Sequence, residues 1–347
     1  MAQWTWPDLI TGLINGRDLD DEAGAWAMDQ LLTGRTSPEQ MSGFLVALRS
    51  KGETSGELSA LSKGMLSKAL PLELPREAVD IVGTGGDRAN TVNVSTMASI
   101  VTAASGRPVI KHGNRAASSW SGTADCLEAL GVNIDQPPAK VREELSAVGM
   151  AFLFAQRYHQ SMKHVGAIRR ELGIRTVFNI LGPLTNPSRP SYMLLGVYGE
   201  HLMRPLARVL PGLGVKRALI VHGTDGMDEI SVGAPTKVYE IENAAERAYE
   251  IRPEDFGITP ASKEAIRGGT PTENAAVTRG ILTGEITDAR ADICLMNAGL
   301  RSISGEKQTR LRRASIQHAA SLPTAVLCRS WRTLFTSLSD AQRNGRT

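Results

Sequence analysis

Four segments carry residues whose types and spacing suit phosphate and metal chemistry. The first is Gly83-Thr84-Gly85-Gly86-Asp87, followed shortly by Asn93-Val94-Ser95-Thr96. Glycines let the backbone approach a ligand closely and turn successive N–H groups inward as an anion nest. A helix starting near Ser95 adds its own free N–H groups and the positive end of its dipole, so the pair can hold a diphosphate. The spacing is neither that of a dinucleotide fingerprint nor that of a Gly-Lys-Ser/Thr phosphate loop, which disfavours an oxidoreductase. The second segment, Lys111-His112-Gly113-Asn114-Arg115-Ala116-Ala117-Ser118-Ser119, packs two cations, an imidazole, an amide and two hydroxyls into nine residues. Lys111 and Arg115 can neutralise phosphate charge, and the serines can hydrogen-bond to it. The third is Asp228-Glu229, adjacent carboxylates behind a Gly-containing turn, as a hard cation shared with phosphates requires. The fourth holds Arg169, in Arg169-Arg170-Glu171-Leu172-Gly173, whose planar fork can grip a carboxylate. Taken singly, each also fits a plain turn, a solvated loop, surface charge or an ion-pair cluster. No HExxH, EF-hand, CxxC or Gly-x-Ser-x-Gly pattern accompanies them.

The elements that must position these residues change character along the chain. Residues 1–70 show only helical periodicity, as in Met41, Phe44, Leu45 and Leu48 and again in Leu58, Leu61, Met65 and Leu66. Ser37-Pro38-Glu39-Gln40 reads as a helix start, with Ser37 as N-cap and Gln40 closing a capping box. The Pro-rich stretch from Pro71 to Pro75 reads as a linker. Strand candidates then alternate with helical stretches: Val79–Val82, Pro108–Lys111, Ala151–Phe154, Tyr192–Val197, Ala218–His222 and Lys237–Ile241. Helices are expected at about Ser95–Ala104 and Ala124–Leu130, the latter stopped by Gly131. The implied class is α/β: a small all-helical domain and a larger α/β domain with a mainly parallel central sheet.

Composition sets the outer bounds. With 347 residues, 41% apolar and 22% charged, the chain reads as globular and long enough for two domains. Three scattered cysteines, Cys126, Cys294 and Cys328, have no metal-ligand spacing and suit a reducing compartment. No apolar run reaches membrane-spanning length and no signal-like N-terminus is seen, so a cytoplasmic, soluble protein is expected. The net charge of +3 conceals an uneven spread: residues 301–347 hold nine Lys/Arg against two Asp/Glu. That basic stretch lacks the helical stripe or interleaved aromatics of a nucleic-acid arm, so no nucleic-acid partner is expected.

In this order and at compatible spacing, GTGGD, NVST, KHGNRAASS, SGTAD, RRELG, FNILGPLTNP and DGMDEIS closely resemble the anthranilate phosphoribosyltransferases, over roughly residues 35–298. The resemblance implies a fold like that of nucleoside phosphorylases and phosphoribosyltransferases. Residues 1–72 would form the helical domain, completed by about 163–186, and 73–162 with 187–347 the α/β domain. It implies transfer of the phosphoribosyl group of phosphoribosyl diphosphate (PRPP) to anthranilate in tryptophan biosynthesis, two magnesium ions per subunit, and a homodimer through the helical part. Carried over residue by residue, Gly83, Gly86, Asp87 and Thr91, with Asn93, Val94, Ser95 and Thr96, would line the PRPP site. Lys111 and the loop His112, Gly113, Asn114, Arg115, Ala116, Ala117, Ser118 and Ser119 would wrap the phosphoribosyl moiety, together with Thr123, which stands where Ser is usual. Gly83, Asn114 and Arg169 would meet anthranilate, and Ser95, Asp228 and Glu229 would ligate magnesium. Gln156, Gln160, Trp120 and Ala167 depart from the family pattern, and all but Trp120 flank the implied acceptor entrance.

The implied displacement at an anomeric carbon needs positioning and electrostatics rather than a covalent nucleophile. Lys111, Asp228 and Glu229 are the residues expected to supply them, and loss of Lys111 or Asp228 should lower turnover far more than folding. His112 and His159 resemble general bases, yet an aniline-type nitrogen is already deprotonated at neutral pH. After Asn297-Ala298 the family usually continues Ala-Leu-Tyr, whereas this chain reads Leu300-Arg301-Ser302-Ile303-Ser304 and turns basic. A shifted reading frame over residues 300–347 is the expectation, which resequencing of the coding DNA tests. Two other readings stay open: a nucleoside phosphorylase of the same architecture, and a non-catalytic or nucleic-acid-binding relative.

Overall fold

The computed structural model describes residues 4–87, 89–116, 119–243 and 245–298. The unusual C-terminal stretch therefore lies outside the described residues, as do Ala117 and Ser118.

Four helices come first: α1 (Trp6–Ile14), α2 (Asp21–Thr33), α3 (Pro38–Lys51) and α4 (Ser55–Ser67). Their starts are written in the sequence. Ser37 with Gln40 and Thr54 with Glu57 form capping boxes, each satisfying two orphan N–H groups. Their inner faces bury Leu31, Phe44, Leu45, Leu48, Leu58 and Leu61 completely.

The rest alternates strand and helix. In chain order it comprises β1 (Val79–Gly83), α5 (Val94–Ala104), β2 (Val109–Gly113), α6 (Thr123–Ala129), α7 (Pro138–Val148) and β3 (Met150–Phe154). Next come the short α8 (Ala155–Tyr158), then α9 (Lys163–Leu172), α10 (Val177–Leu184), β4 (Tyr192–Gly196), α11 (Met203–Val209) and β5 (Arg217–Gly223). The last are β6 (Thr236–Glu242), β7 (Ala245–Ile251), α12 (Pro271–Thr283) and α13 (Ala289–Ala298). The seven strands form one sheet in the order β3-β2-β1-β4-β5-β6-β7.

β3, β2, β1, β4 and β5 run parallel, whereas β6 and β7 are antiparallel additions. The alternation pattern does not foresee that reversal at Lys237–Ile241. Its cause is the connection from Gly223 to Thr236, which contains no helix, and parallel neighbours normally need a helical crossover. β7 escaped the pattern because it is mostly exposed and carries charges rather than an apolar face.

Strand residues alternate between two cores. Val79, Ile81, Leu194 and Leu219 pack with α5, α6, α12 and α13 on one face. Met193, Leu195, Ile220 and Ile241 join Leu206 and the core of α1–α4 on the other. α9 lies against α2 and α3, and α10 against α3 and α4. The chain runs β1, β2, β3 in one direction and then returns to place β4 on the other side of β1. In open α/β sheets such a switch point, at the carboxyl ends of the strands, is where ligands sit.

Candidate active site

A cleft of about 870 Å³ opens at that switch point. Its floor is the paired ends of β1 and β4, where Gly83 and Gly196 are register partners. Asp228 lies directly over both. A Cβ on Gly83 would collide with its carboxylate, and one on Gly196 with its carbonyl oxygen. Glycine is therefore required twice for one reason, to admit the 228–229 segment onto the strand ends.

After β1 the chain turns through Gly85 (φ +67°) and Gly86 (φ +81°), backbone that side-chain-bearing residues rarely adopt. Gly85 N–H donates to Asp228 Oδ2 at 2.6 Å. Asp87 closes the turn, its Oδ1 accepting from Ala89 N–H at 3.1 Å. Thr91 pairs with Arg267 as an isolated antiparallel bridge. Asn93 begins α5 without capping it through its side chain. Its Oδ1 instead accepts from Ser121 Oγ at 3.0 Å and from Asn274 Nδ2 at 2.8 Å, while its Nδ2 donates to the Ser121 carbonyl at 3.1 Å.

Lys111 sits inside β2, which runs two residues beyond the expected end, and is 1% exposed. Its Nζ donates to the Ile81 carbonyl at 2.5 Å and to Ser95 Oγ at 3.1 Å. Burial pushes the ammonium down, opposed by the charges of Asp80 and Glu229. Asp80, on β1, is fully buried and raised to about 6 by desolvation, with Lys111 opposing. Its oxygens accept from Asn186 Nδ2 at 2.8 Å and from His112 N–H at 3.4 Å, tying the strand ends to the segment after α10. His112 is held neutral, burial lowering it to about 3, with Nδ1 at 3.3 Å from the Gly182 carbonyl. His159 is lowered by burial too, its Nε2 lying 2.9 Å from the Thr185 carbonyl.

The loop after β2 is organised by Asp125 of α6, whose Oδ2 accepts from Ala116 N–H at 2.8 Å and Gly122 N–H at 3.0 Å. Arg115 turns outward onto Asp125 at 3.0 Å and Glu128 at 2.8 Å, exposed pairs of small energetic weight. Asn114 Oδ1 accepts from Gln156 Nε2 at 3.4 Å. Across the cleft, Arg169 of α9 is half-buried, 5.5 Å from the centroid of Phe178, and its guanidinium has no carboxylate partner among the described residues. Burial lowers its pKa.

Of the residues singled out in the sequence, Gly83, Gly86, Asp87, Thr91, Asn93, Val94, Ser95 and Lys111 line this one cleft. So do His112, Gly113, Asn114, Arg115, Ala116, Ser119, Thr123, Arg169, Asp228 and Glu229. Thr96 does not. It is fully buried behind the wall, its Oγ1 3.5 Å from that of Thr123. Gln156, Gln160 and Trp120 also line the cleft, whereas Ala167 is exposed outside it. Sequence reasoning missed Asp80, Asn186, Asp125, Arg175 and Gly196. Only Asp125, inside the quoted SGTAD run, and Asn186, inside FNILGPLTNP, carried any local signal.

The carboxylates converge where burial disfavours their charge. Asp228 is raised to about 7 by desolvation and then by Asp87. Glu229 is raised well above the carboxylate range by desolvation and by Asp228, with Lys111 and the Ser95 N–H opposing. Crowded carboxylates of this kind gain from sharing a cation. Magnesium takes hard oxygens, commonly one or two carboxylates, with phosphate and water completing its shell. The Asp228, Glu229 and Ser95 oxygens fit that preference. No cluster of three or more His, Cys, Asp or Glu able to cage a metal by protein alone occurs among the described residues.

An anion turn, buried cation, carboxylate pair and lone guanidinium around one cleft define a transferase site for a phosphorylated donor and an acidic acceptor. The sequence comparisons agree with that class. The α/β domain of a glycosyl transferase family matches residues 75–324, and its helical bundle domain matches residues 7–69. Anthranilate phosphoribosyltransferase from Methanobrevibacter smithii is 48% identical over 299 residues, 86% of this chain and 89% of that one. The crystal structure of the Thermus thermophilus enzyme of that name superposes with a TM-score of 0.85 at 41% identity, covering 94% of this chain and 99% of that one. The Saccharomyces cerevisiae enzyme, solved in complex with PRPP and Mg, superposes with a TM-score of 0.89 at 29% identity, covering 98% and 99%. The chain belongs to the anthranilate phosphoribosyltransferase family.

Proposed function

We propose that this protein transfers the phosphoribosyl group of PRPP to anthranilate, giving N-(5-phosphoribosyl)anthranilate and diphosphate, as a step in tryptophan biosynthesis. One observation carries the reading. The cleft that joins the glycine turn, Lys111 and the Asp228-Glu229 pair also receives, from the opposite wall, a half-buried Arg169 with no carboxylate partner among the described residues. A polyanion suits the first end and an aromatic carboxylate the second.

In this assignment the Gly83–Asp87 turn and the start of α5 hold the diphosphate, and Lys111 adds a positive charge behind it. Asp228, Glu229 and the Ser95 hydroxyl hold magnesium, two ions per subunit, which when bound offsets the negative charge gathering on the departing diphosphate. Arg169 and Asn114 orient anthranilate so that its amine lone pair faces C1 of the ribose. The C1–O bond breaks, the C1–N bond forms, and the nitrogen gives up one proton to solvent. His112 is held neutral in the wall and no base is needed. Preorganised dipoles and positioning then provide most of the rate enhancement.

The domain division belongs to the same proposal: residues 1–72 with 163–186 against 73–162 with 187–347. The packing of α9 and α10 on α2, α3 and α4 supports it. A homodimer through the helical part is proposed from the apolar groove between α1 and α3, where Ile14 is 71% exposed and Val46 39%. Sedimentation equilibrium tests it. A reducing, cytoplasmic setting suits Cys126 and Cys294, buried free thiols among the described residues.

The deciding assay follows the loss of anthranilate fluorescence with PRPP, with magnesium and with EDTA. Magnesium-dependent consumption of both substrates is expected. Phosphorolysis of uridine or thymidine in its place would assign the cleft to a nucleoside phosphorylase.

A further inference from the structure

We infer that Arg175 is a positioning residue that aims the diphosphate turn, a role resting on the phosphoribosyl-transfer reading of the cleft. Arg175 stands between Gly173, which ends α9, and Thr176, which begins α10. Its guanidinium lies over the Tyr198 ring, 3.9 Å from the centroid, and Nη2 donates to the Gly86 carbonyl. No carboxylate lies within ion-pair distance of it among the described residues. Tyr198 is itself tied to the turn, its N–H donating to Thr84 Oγ1 at 3.2 Å. A Cβ on Gly86 would come within 2.9 Å of Arg175 Nε, so glycine there admits the guanidinium as well as the positive φ.

The consequence follows from peptide geometry. Gly85, Gly86 and Asp87 line the cleft, whereas Arg175 does not, so it grips the turn from behind. In a planar trans peptide the carbonyl of Gly86 and the N–H of Asp87 point in opposite directions. Drawing the carbonyl back toward Arg175 therefore turns the Asp87 N–H forward into the cleft. The Gly85 N–H is already engaged by Asp228 at 2.6 Å. The N–H groups of Gly86 and Asp87 remain as the donors an incoming phosphate can use. Gly86, with no side chain, leaves its own ψ on one side of this peptide weakly restrained, and a flipped peptide presents a carbonyl to the anion. The brace also comes from the segment that carries α9, so acceptor wall and donor turn share one support.

The test uses the full-length chain with Arg175→Ala and Arg175→Lys. Arg175→Ala is expected to raise KM for PRPP about tenfold or more, the effect of misaiming a donor to a charged group. Affinity for inorganic diphosphate with magnesium, by titration calorimetry, should fall in parallel. KM for anthranilate should stay within about twofold, since uniform damage would move both substrates. Added guanidinium ion should restore part of the loss, and Arg175→Lys, which keeps a cation and donor without the planar fork, should fall between. PRPP and diphosphate binding that match the parent in both variants overturn the inference. Equal weakening of both substrates without guanidinium rescue does so as well. Should Arg175→Ala fail to fold, Arg175→Lys decides, a parent-like KM for PRPP counting against the role. A parent chain that binds diphosphate yet leaves PRPP and anthranilate unconsumed sinks the functional reading alone; the diphosphate titration still judges Arg175.

Discussion

Replacing Arg169 with methionine removes one charge from the acceptor wall while keeping a stem of similar length against Phe178. In the free protein this guanidinium is half-buried and has no anionic partner among the described residues. With a carboxylate in the cleft it can make two parallel hydrogen bonds, each charge-assisted and worth ~1.5–3 kcal/mol. Because Arg169 keeps some solvent contact, the lower end applies, so the pair supplies ~3–4 kcal/mol. At ~1.4 kcal/mol per decade, kcat/KM for anthranilate should drop ~10²–10³-fold. KM for PRPP should hold within about twofold, since the donor's contacts lie at the far end of the cleft. Stability should move the other way. Removing an uncompensated, partly buried charge leaves the melting temperature unchanged or raises it. Fluorescence-monitored initial rates with each substrate varied, together with a thermal melt, give all three numbers. An unchanged anthranilate KM, or a melting temperature that falls by many degrees, would show that Arg169 supports the fold instead of gripping the acceptor.

Lys111→Met should destabilise the protein as well as slow it. It removes donors from the Ile81 carbonyl and Ser95 and leaves buried Asp80 and Glu229 without their nearest cation, a loss of ~3–5 kcal/mol readable by chemical denaturation. That departs from the sequence-based expectation that turnover would suffer far more than folding, because a lysine 1% exposed is part of the core. Gly196→Ala pushes Asp228 off the end of β4, so magnesium-dependent turnover should fall ~10²-fold or more, while circular dichroism stays native. Magnesium binding should strengthen as pH rises. Asp228 is raised from about 3.8 to about 7 in the folded chain, so as pH rises over that interval the unfolded chain loses a proton that the folded one keeps, and the metal-free protein loses stability. The metal competes with that proton, so the half-saturating magnesium concentration should fall steeply, ~10-fold or more per pH unit, as pH rises toward about 7, and Glu229, held higher still, keeps it falling beyond. Thermal shift with and without magnesium at several pH values reads it. A metal-induced shift that is the same from pH 5.5 to 8 would contradict the linkage.

How much was legible depended on whether the determinant was local. Ser37 and Gln40 announce their capping box because cap, spacing and helix start lie within four residues. The strand candidates from Val79–Val82 to Lys237–Ile241 all fall on strands, since an apolar run of strand length is likewise a local property. β7 was illegible because an exposed, charged edge strand has no apolar face to betray it. At the site, the glycine turn, the Lys111 loop and the carboxylate pair were readable as segments. That Asp80 and Asn186 stand behind Lys111 and His112 was not, for those contacts join residues about 30 to 106 apart in the chain. Gly196 shows the limit most clearly. In sequence it is an ordinary strand end, and its need for a missing side chain exists only once Asp228 arrives above it.

The cleft also explains why its two ends should not accept each other's ligands. Near β1 and β4 the carboxyls of Asp87, Asp228 and Glu229 crowd together, and burial suppresses the charge of the last two until a cation arrives, so the end takes a polyanion together with a divalent cation. Near α9 the Arg169 guanidinium lacks an anionic partner among the described residues, so that end awaits a single negative charge. Burying either set unpaired is unfavourable, and a chain shaped for stability alone would have neutralised both. A neutral pyrimidine seated against α9 would leave Arg169 unsatisfied as solvent is displaced, a penalty of ~1–3 kcal/mol that anthranilate's carboxylate avoids. The acceptor end thus discriminates as much through what it withholds from the wrong ring as through what it offers the right one.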